Sequence, residues 1–273
     1  MDNFHYISSE VLTLEQLQEI ISQNYKLELS EEAKINIAKC REYLDKKMAT
    51  QVEPIYGINT GFGSLCNVKI SNENLSQLQE NLVKSHACGT GEEVPHEIVK
   101  IMLLLKIQSL SYGNSGVQLQ TVERLVDFYN HDVLPVIYSQ GSLGASGDLA
   151  PLAHLSLPLI GEGEVYHDGY RQPAMKVLQK FNWKPIVLQS KEGLALLNGT
   201  QFMSSYGCYV LLKAMKNSYL ADVIAAISLE GFDGRIEPFN ELIHYVRPHN
   251  GQITTAQRMT EFLEGSEIIA QEK

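Results

Sequence analysis

Three glycines recur at every third position in the segment QGSLGASGDLAPLAHLSLPLIGEGE, residues 140–164, just before a helical pattern. A phosphate-binding loop would need Lys and Ser or Thr after its last glycine, but Asp148 follows Gly147 and would repel a phosphate. A tight turn before a helix capped by Asp148, with Pro151 in the first turn, explains those two residues. It leaves the spacing of Ala145, Ser146 and Gly147 without a reason.

A chemical interpretation accounts for all three residue types. The backbone nitrogen of Gly147 attacks the carbonyl carbon of Ala145, and glycine is the residue whose backbone best tolerates the strained geometry. Alanine leaves the attacked carbonyl unhindered. Ring closure expels the oxygen of that carbonyl as one water, and Ser146 loses its hydroxyl group as a second. The product is a five-membered ring with an exocyclic methylidene, an electrophile made from the chain itself. The N-terminus of the following helix favours electron density arriving there.

The segment GSLGASGDLAPLAHL closely resembles the signature of the aromatic amino acid ammonia-lyase family, which includes histidine, phenylalanine and tyrosine ammonia-lyases and related aminomutases. Four further motifs match in family order: YGINTGFGSL at 56–65, NLVKSHACGTGE at 81–92, KEGLALLNGTQ at 191–201 and RPHNGQ at 247–252. The resemblance implies a cofactor, 4-methylidene-imidazol-5-one (MIO), formed autocatalytically from Ala145-Ser146-Gly147, and neither a metal nor a nucleotide. It also implies a mainly α, aromatic-lyase (fumarase/aspartase-like) fold.

The same resemblance assigns roles to other residues. Ser146, as the source of the methylidene carbon, would carry the substrate amine, and Tyr56 would be the base that removes the β-proton. Asn198 would hydrogen-bond near the MIO carbonyl and the substrate amine. The structural alternatives are that Tyr56 anchors its glycine-rich loop and that Asn198 bonds to neighbouring backbone.

His86 bears on the choice of substrate. The pair Ser85-His86 resembles the histidine ammonia-lyases, and an imidazole there can hydrogen-bond the substrate's own imidazole. The predicted reaction is therefore elimination of ammonia from L-histidine to give trans-urocanate. Some tyrosine aminomutases share this pair, so another aromatic amino acid lyase or aminomutase is the alternative.

Only the N-terminal half of the family pattern is present in these 273 residues. The family's carboxylate-binding arginine lies in the other half, and Arg235, Arg247 and Arg258 do not match its motif. Smaller departures are Gln118, where the family motif SGVR has arginine, and Gln108, where asparagine is common. The resemblance implies a homotetramer or a complementing C-terminal half as partner. A non-catalytic fragment that acts only in assembly remains a further alternative.

Composition narrows the class of protein. The net charge of −10 argues against a nucleic-acid backbone as partner, and no apolar run approaches the ~18 residues of a membrane span. Four widely separated cysteines without a CxxC pair, together with an N-terminus unlike a signal peptide, predict a cytoplasmic protein. His244 and His249 are interpreted as structural, since no carboxylate cluster accompanies them.

The pattern predicts two domains. Residues 1–195 form an N-terminal α+β domain that carries the MIO, with helices on either side of KLELSEE and a hairpin turning at Asp168-Gly169. Residues 196–273 form the first part of a central helical bundle. The apolar stretch 191–229 predicts one long helix, or two in line, that needs neighbouring helices to cover it.

Overall fold

The computed structural model describes residues 3–50, 53–61, 68, 70–143 and 147–271. It divides into two compact units, residues 1–208 and 209–273. The predicted domain boundary lies at 195/196 instead, and it stays a prediction. Among the described residues, no helix is long and apolar enough to cross a membrane.

Helices predominate in the described residues, as predicted. They are α1 Leu14–Ser22, α2 Glu31–Thr50, α3 Leu75–His86, α4 His96–Ser111, α5 Leu119–Asn130, α6 Leu149–Ser156, α7 Ala174–Lys180, α8 Glu192–Leu197, α9 Gln201–Gly231, α10 Glu241–Tyr245 and α11 Asn250–Phe262. The strands are β1 Phe4–Ile7, β2 Lys26–Leu29, β3 Thr90–Glu93, β4 Leu134–Pro135, β5 Tyr138–Gln140, β6 Glu164–His167 and β7 Tyr170–Pro173.

The strands form three small sheets within the described part of the chain, β1-β2, β3-β5 and β4-β6-β7. The predicted hairpin is β6-β7, and its turn residues Asp168 and Gly169 have φ values of 53° and 78°, as a type I′ turn requires. The segment KLEL, predicted only as a break between helices, is β2, which pairs in parallel with β1. Ser30 caps α2 as predicted, its Oγ accepting from the Ala33 N–H at 3.1 Å.

Helix α4 is the centre of the first unit. It is apolar on nearly every face, and Met102, Leu103 and Leu104 are fully buried in succession. Each such side chain contributes roughly 1.5–3 kcal/mol when removed from water. A helix buried on all sides must be surrounded, and α2, α5, β1 and β4 pack around it.

Glu192, the first residue of α8, is a fully buried carboxylate. Its oxygens accept from the Gln118 N–H at 2.9 Å, Gln118 Nε2 at 2.6 Å, Thr121 Oγ1 at 2.7 Å and the Gln189 N–H at 2.8 Å. The departure at Gln118 is therefore accommodated, because the side-chain amide donates to this carboxylate. These bonds fix the start of α8 against α5.

The end of α8 is held by a buried lysine on α4. Lys106 is only 1% exposed, and its Nζ donates to the carbonyl oxygens of Ala195 at 2.8 Å and Asn198 at 3.0 Å. These carbonyls lie at a helix C-terminus, where they lack helical partners and favour a cation. Burial lowers the pKa of Lys106 to about 7.

The second unit contains the rest of α9 with α10 and α11. Its core includes Ala226, Met259 and Leu263, and Arg258 Nη1 donates to Asp222 Oδ2 at 2.9 Å. Several apolar side chains of α9 are exposed within this unit, among them Leu211, Met215, Tyr219, Ile224 and Ile227. His244 is buried, and its Nδ1 accepts from Gln252 Nε2 at 2.8 Å.

The buried lysine predicts a pH dependence of stability. Between about pH 7 and the ordinary lysine pKa of 10.5, the unfolded chain carries a proton at Lys106 that the folded chain releases. Because the unfolded state binds more protons there, stability rises with pH. We expect the unfolding free energy of the parent, measured against that of K106M, to rise with pH. The rise should be at most about 1.4 kcal/mol per pH unit.

Urea denaturation at several pH values between neutrality and pH ~10 measures this difference. The control is K39M, which removes an exposed lysine of α2 and should follow the parent at every pH. Parallel stability curves for the parent and K106M would contradict the prediction.

Candidate functional site

The glycine-rich turn is described on both of its sides. Ala145 and Ser146, two of the three predicted ring-forming residues, lie outside the described residues, as does Gly144. Leu143 precedes that gap and Gly147 follows it. The described part of the site therefore consists of Gly147 and the residues that contact it.

Gly147 is packed directly against another backbone segment. A Cβ at this position would fall far inside van der Waals contact of the Gly199 carbonyl oxygen and 3.1 Å from the Gly199 nitrogen. Its φ of +84° is also a value that residues with side chains rarely adopt. Only glycine fits here, for reasons of both space and backbone conformation.

Asp148 ties three segments together. It is 3% exposed, and its Oδ1 accepts from Ser142 Oγ at 2.9 Å while Oδ2 accepts from the Met203 N–H at 3.0 Å. Its own N–H donates to the Gly199 carbonyl at 2.8 Å. The expectation that Asp148 caps the following helix is wrong, because no side-chain bond to the N-terminus of α6 is made. The carboxylate instead accepts a hydrogen bond in the first turn of α9, where N–H groups lack helical partners.

The described residues fit the predicted ring. Helix α6 begins at Leu149, two residues after Gly147, so the positive end of its dipole lies at the turn. Gly147 has a left-handed conformation that residues with side chains rarely adopt, and its contact with Gly199 fixes it there. A backbone held in place in this way suits attack by the Gly147 nitrogen on residue 145.

Asn198 lies next to this contact. It follows the last residue of α8, and its extended backbone leads into Gly199. Its Nδ2 donates to the Leu194 carbonyl at 3.1 Å, and its own carbonyl accepts from Lys106. The backbone of Asn198 is therefore anchored from α4, one residue away from the packing partner of Gly147.

A cavity of about 190 Å³ joins Gly147 to His86. The described residues that line it are His86, Cys88, Gly141, Leu143, Gly147, Leu149 and Ala150. The structure thus brings two of the predicted site residues to one cavity. Asn198 is not among the described lining residues, although it neighbours Gly199.

The orientation of His86 determines what its ring can accept. Its Nδ1 lies 2.7 Å from the Leu82 carbonyl oxygen, which can only accept a hydrogen bond, so Nδ1 carries the proton. In the neutral ring the other nitrogen, Nε2, is then an acceptor. A ligand with an N–H group is the chemical match for that atom.

Tyr56 lies on a separate turn. Its side chain is 53% exposed, and it is not among the described residues that line the cavity. The turn is held by two buried residues: Asn59 Oδ1 accepts from the Ile55 N–H at 2.6 Å, and Thr60 Oγ1 accepts from the Gly57 N–H at 3.2 Å. The role of Tyr56 as base stays a prediction.

Sequence reasoning did not identify Lys106 and His154 as part of this site. Each is a polar residue within an apolar helix, KIMLLLKIQSL and LAPLAHLS respectively, and that mismatch is the signal that marks them. Lys106 holds Asn198, whereas the His154 Nε2 accepts from the Gly89 N–H at 3.0 Å. Which atoms they contact depends on tertiary packing and cannot be read from the pattern.

The packing of Gly147 yields a direct test on stability. We expect G147A to lower the unfolding free energy by about 1–3 kcal/mol, because the new Cβ would overlap Gly199 and φ would be strained. The matched control is G207A in α9, where a Cβ meets nothing within 4 Å. Alanine should stabilise that exposed helical position by about 0.5–1 kcal/mol.

Urea denaturation of the two variants beside the parent gives both values. If G147A proved as stable as G207A, the close approach of Gly147 to Gly199 would be refuted.

The family model described as aromatic amino acid lyase matches residues 12–273. The histidine ammonia-lyase of Deinococcus radiodurans is 47% identical over 257 residues, 94% of this chain and 49% of that protein. The chain thus spans about half the length of the curated relatives it matches.

Two solved structures share the fold. The crystal structure of histidine ammonia-lyase from Trypanosoma cruzi has a TM-score of 0.85 and 37% identity, covering 94% of this chain and 50% of that chain. Tyrosine aminomutase from Streptomyces globisporus has a TM-score of 0.89 and 32% identity, covering 98% and 50%. The predicted aromatic-lyase fold is confirmed, and the chain belongs to the aromatic amino acid lyase family.

Proposed function

We propose that this chain supplies the MIO-bearing part of a histidine ammonia-lyase, a carbon–nitrogen lyase that converts L-histidine to trans-urocanate and ammonia. The observation that carries the proposal is the cavity shared by His86 and Gly147. It is supported by the 47% identity with the histidine ammonia-lyase of Deinococcus radiodurans. The cavity supports a site in which one wall selects an imidazole and the opposite wall provides the electrophile.

Elimination of ammonia faces two chemical obstacles. An amine is a poor leaving group, and a hydrogen on the β-carbon is very weakly acidic. The MIO formed from Ala145-Ser146-Gly147 supplies an electrophile that captures the amine and improves it as a leaving group. The remaining tasks are to bind and orient the amino acid and to remove the proton.

The residues around Gly147 preorganise the electrophilic end of the site. The backbone contact with Gly199 and the bonds to Asp148 hold position 147 before substrate arrives. The N-terminus of α6 favours negative charge at that point. Because these groups are fixed in advance, little reorganisation is needed during the reaction.

Different residues would bind the different groups of the substrate. His86 would accept a hydrogen bond from the imidazole of L-histidine at Nε2, and Asn198 would hydrogen-bond near the substrate amine. Tyr56 would take the β-proton. Movement of the turn that carries Tyr56, or completion of the site by another chain, is needed for that role.

The carboxylate of the substrate needs a cation from elsewhere. Arg258 is engaged with Asp222 within the second unit, so it is not a candidate for that role. A bidentate arginine from the part of the relatives that this chain does not cover would suit the carboxylate. The proposal therefore includes a partner, either further copies in a homotetramer or a complementing C-terminal half, and no nucleic acid or membrane.

A cytoplasmic location belongs to the same proposal. Cys40, Cys88 and Cys208 are free thiols, which suits a reducing compartment. The fourth cysteine, Cys66, lies outside the described residues.

The second candidate is an aminomutase or lyase acting on tyrosine. The similarity to the tyrosine aminomutase from Streptomyces globisporus favours it, because Ser-His is a pair that this class can share. The two activities differ in product, since an aminomutase returns an amino acid. Identifying the products formed from L-histidine and from L-tyrosine therefore separates them.

The test combines this chain with the C-terminal half of a histidine ammonia-lyase relative and follows urocanate by absorbance. We expect urocanate from L-histidine and no cinnamate-type product from L-tyrosine. H86L should lower kcat/KM for L-histidine by about 10- to 100-fold, the loss expected for one buried polar contact.

His131→Leu is the matched control. Its Nδ1 also bonds a carbonyl four residues earlier, that of Asp127 at 2.9 Å, but His131 is an exposed residue directly after α5 and is not among the described residues that line the cavity. H131L should keep parental kcat/KM. A mixture that contains an intact ring yet makes no urocanate would overturn the histidine assignment, and product from L-tyrosine would favour the second candidate.

A further inference from the structure

His154 connects the helix after the ring to the segment that carries His86. It lies on α6 one turn beyond Ala150, which lines the cavity. Its Nε2 accepts a hydrogen bond from the Gly89 N–H at 3.0 Å, so Nε2 carries no proton in this arrangement. Burial lowers the pKa of His154, which favours the same neutral ring.

The segment 87–89 leaves α3 at His86 and passes directly over α6. Cys88 in this segment lines the cavity beside His86. A Cβ at Gly89 would lie 3.0 Å from His154 Nε2 and 3.2 Å from the Gln140 carbonyl oxygen. The segment is therefore pressed between α6 and the end of β5, and the imidazole is its polar contact on the α6 side.

A second glycine, Gly141 at the end of β5, packs closely against both α6 and the segment 87–89. A Cβ at Gly141 would meet the Ala150 Cβ at 2.9 Å and the Gly89 Cα at 3.2 Å. Thr90 pairs with Gln140 across β3 and β5, which sets the register of this layer. A shift of Gly89 along α6 would therefore be transmitted to Gly141 and to the cavity wall.

The ring of His154 is held in place by its surroundings. Tyr138 of β5 packs against it edge-on, with the ring centroids 5.2 Å apart. An acceptor fixed in this way defines the position of the Gly89 N–H more sharply than a mobile side chain or water would. The hydrogen bond thus sets the distance between the segment 87–89, which follows His86, and the start of α6.

We propose that His154 is a positioning residue for substrate binding: its hydrogen bond to the Gly89 N–H fixes the spacing between the His86 wall of the cavity and the Gly147 end of α6. This rests on the proposed function, because the cavity is taken as the place where the amino acid binds. His154 need not touch the substrate, and it plays no part in forming the ring.

The test compares variants that keep or lose the acceptor. H154Q can place an amide oxygen near the position of Nε2, whereas H154L cannot accept, and H154N is a polar variant whose oxygen is too short to reach. In the 273-residue chain, hydrogen exchange resolved to the Gly89 amide should be about five- to tenfold faster in H154L and H154N than in the parent. H154Q should exchange at close to the parental rate.

In the mixture with the complementing half, KM for L-histidine should rise about five- to tenfold in H154L and H154N. kcat should stay within about twofold, the ring mass should be unchanged, and H154Q should restore KM. The control H131L should change neither exchange at Gly89 nor KM.

Unchanged Gly89 exchange in both H154L and H154N would overturn the proposal, as would faster exchange without any change in KM. A parent mixture that makes no urocanate would refute the proposed function instead, and Gly89 exchange would still decide whether His154 holds the segment. H154N and H154Q keep the comparison available if H154L does not fold.

Discussion

The close approach of two backbones, at Gly147 and Gly199, is the constraint on which the site depends. Position 147 has no room for a side chain at the contact, and the Asp148 N–H donates to the Gly199 carbonyl beside it. The contact joins the glycine-rich turn to the segment that carries Asn198. So close a backbone contact is kept only where the surrounding structure is rigid.

That rigidity comes from buried polar groups that bind backbone atoms more than they bind each other. Lys106 holds the carbonyl of Asn198, and Asp148 holds an N–H of α9. Both of these backbone groups lie at helix ends, where they lack helical partners. Glu192, the first residue of α8, accepts from the N–H groups of Gln118 and Gln189. The same bonds therefore stabilise short helices and position the residues that follow them, as His154 does for the segment near Gly89.

Local patterns predicted the elements that local chemistry determines. Asp168-Gly169 allowed the hairpin to be predicted, because few residues adopt positive φ at both turn positions. Ser30 predicted the start of α2, because its side-chain oxygen can accept from an N–H of the first turn. The strand KLEL was not predicted, since its partner is a parallel segment some twenty residues earlier and leaves no local signal. The partners of Asp148 and Lys106 were missed for the same reason: they are 55 and 89 to 92 residues away in the chain.

The central claim is that residues 145–147 condense into a ring, and mass spectrometry of the peptide that contains them tests it most directly. The sample should be this chain assembled with its complementing half and shown to be active, with S146A as the uncyclised reference. The wild-type peptide should be lighter than its sequence by the mass of two water molecules. A wild-type peptide of unmodified mass in that active assembly would refute ring formation.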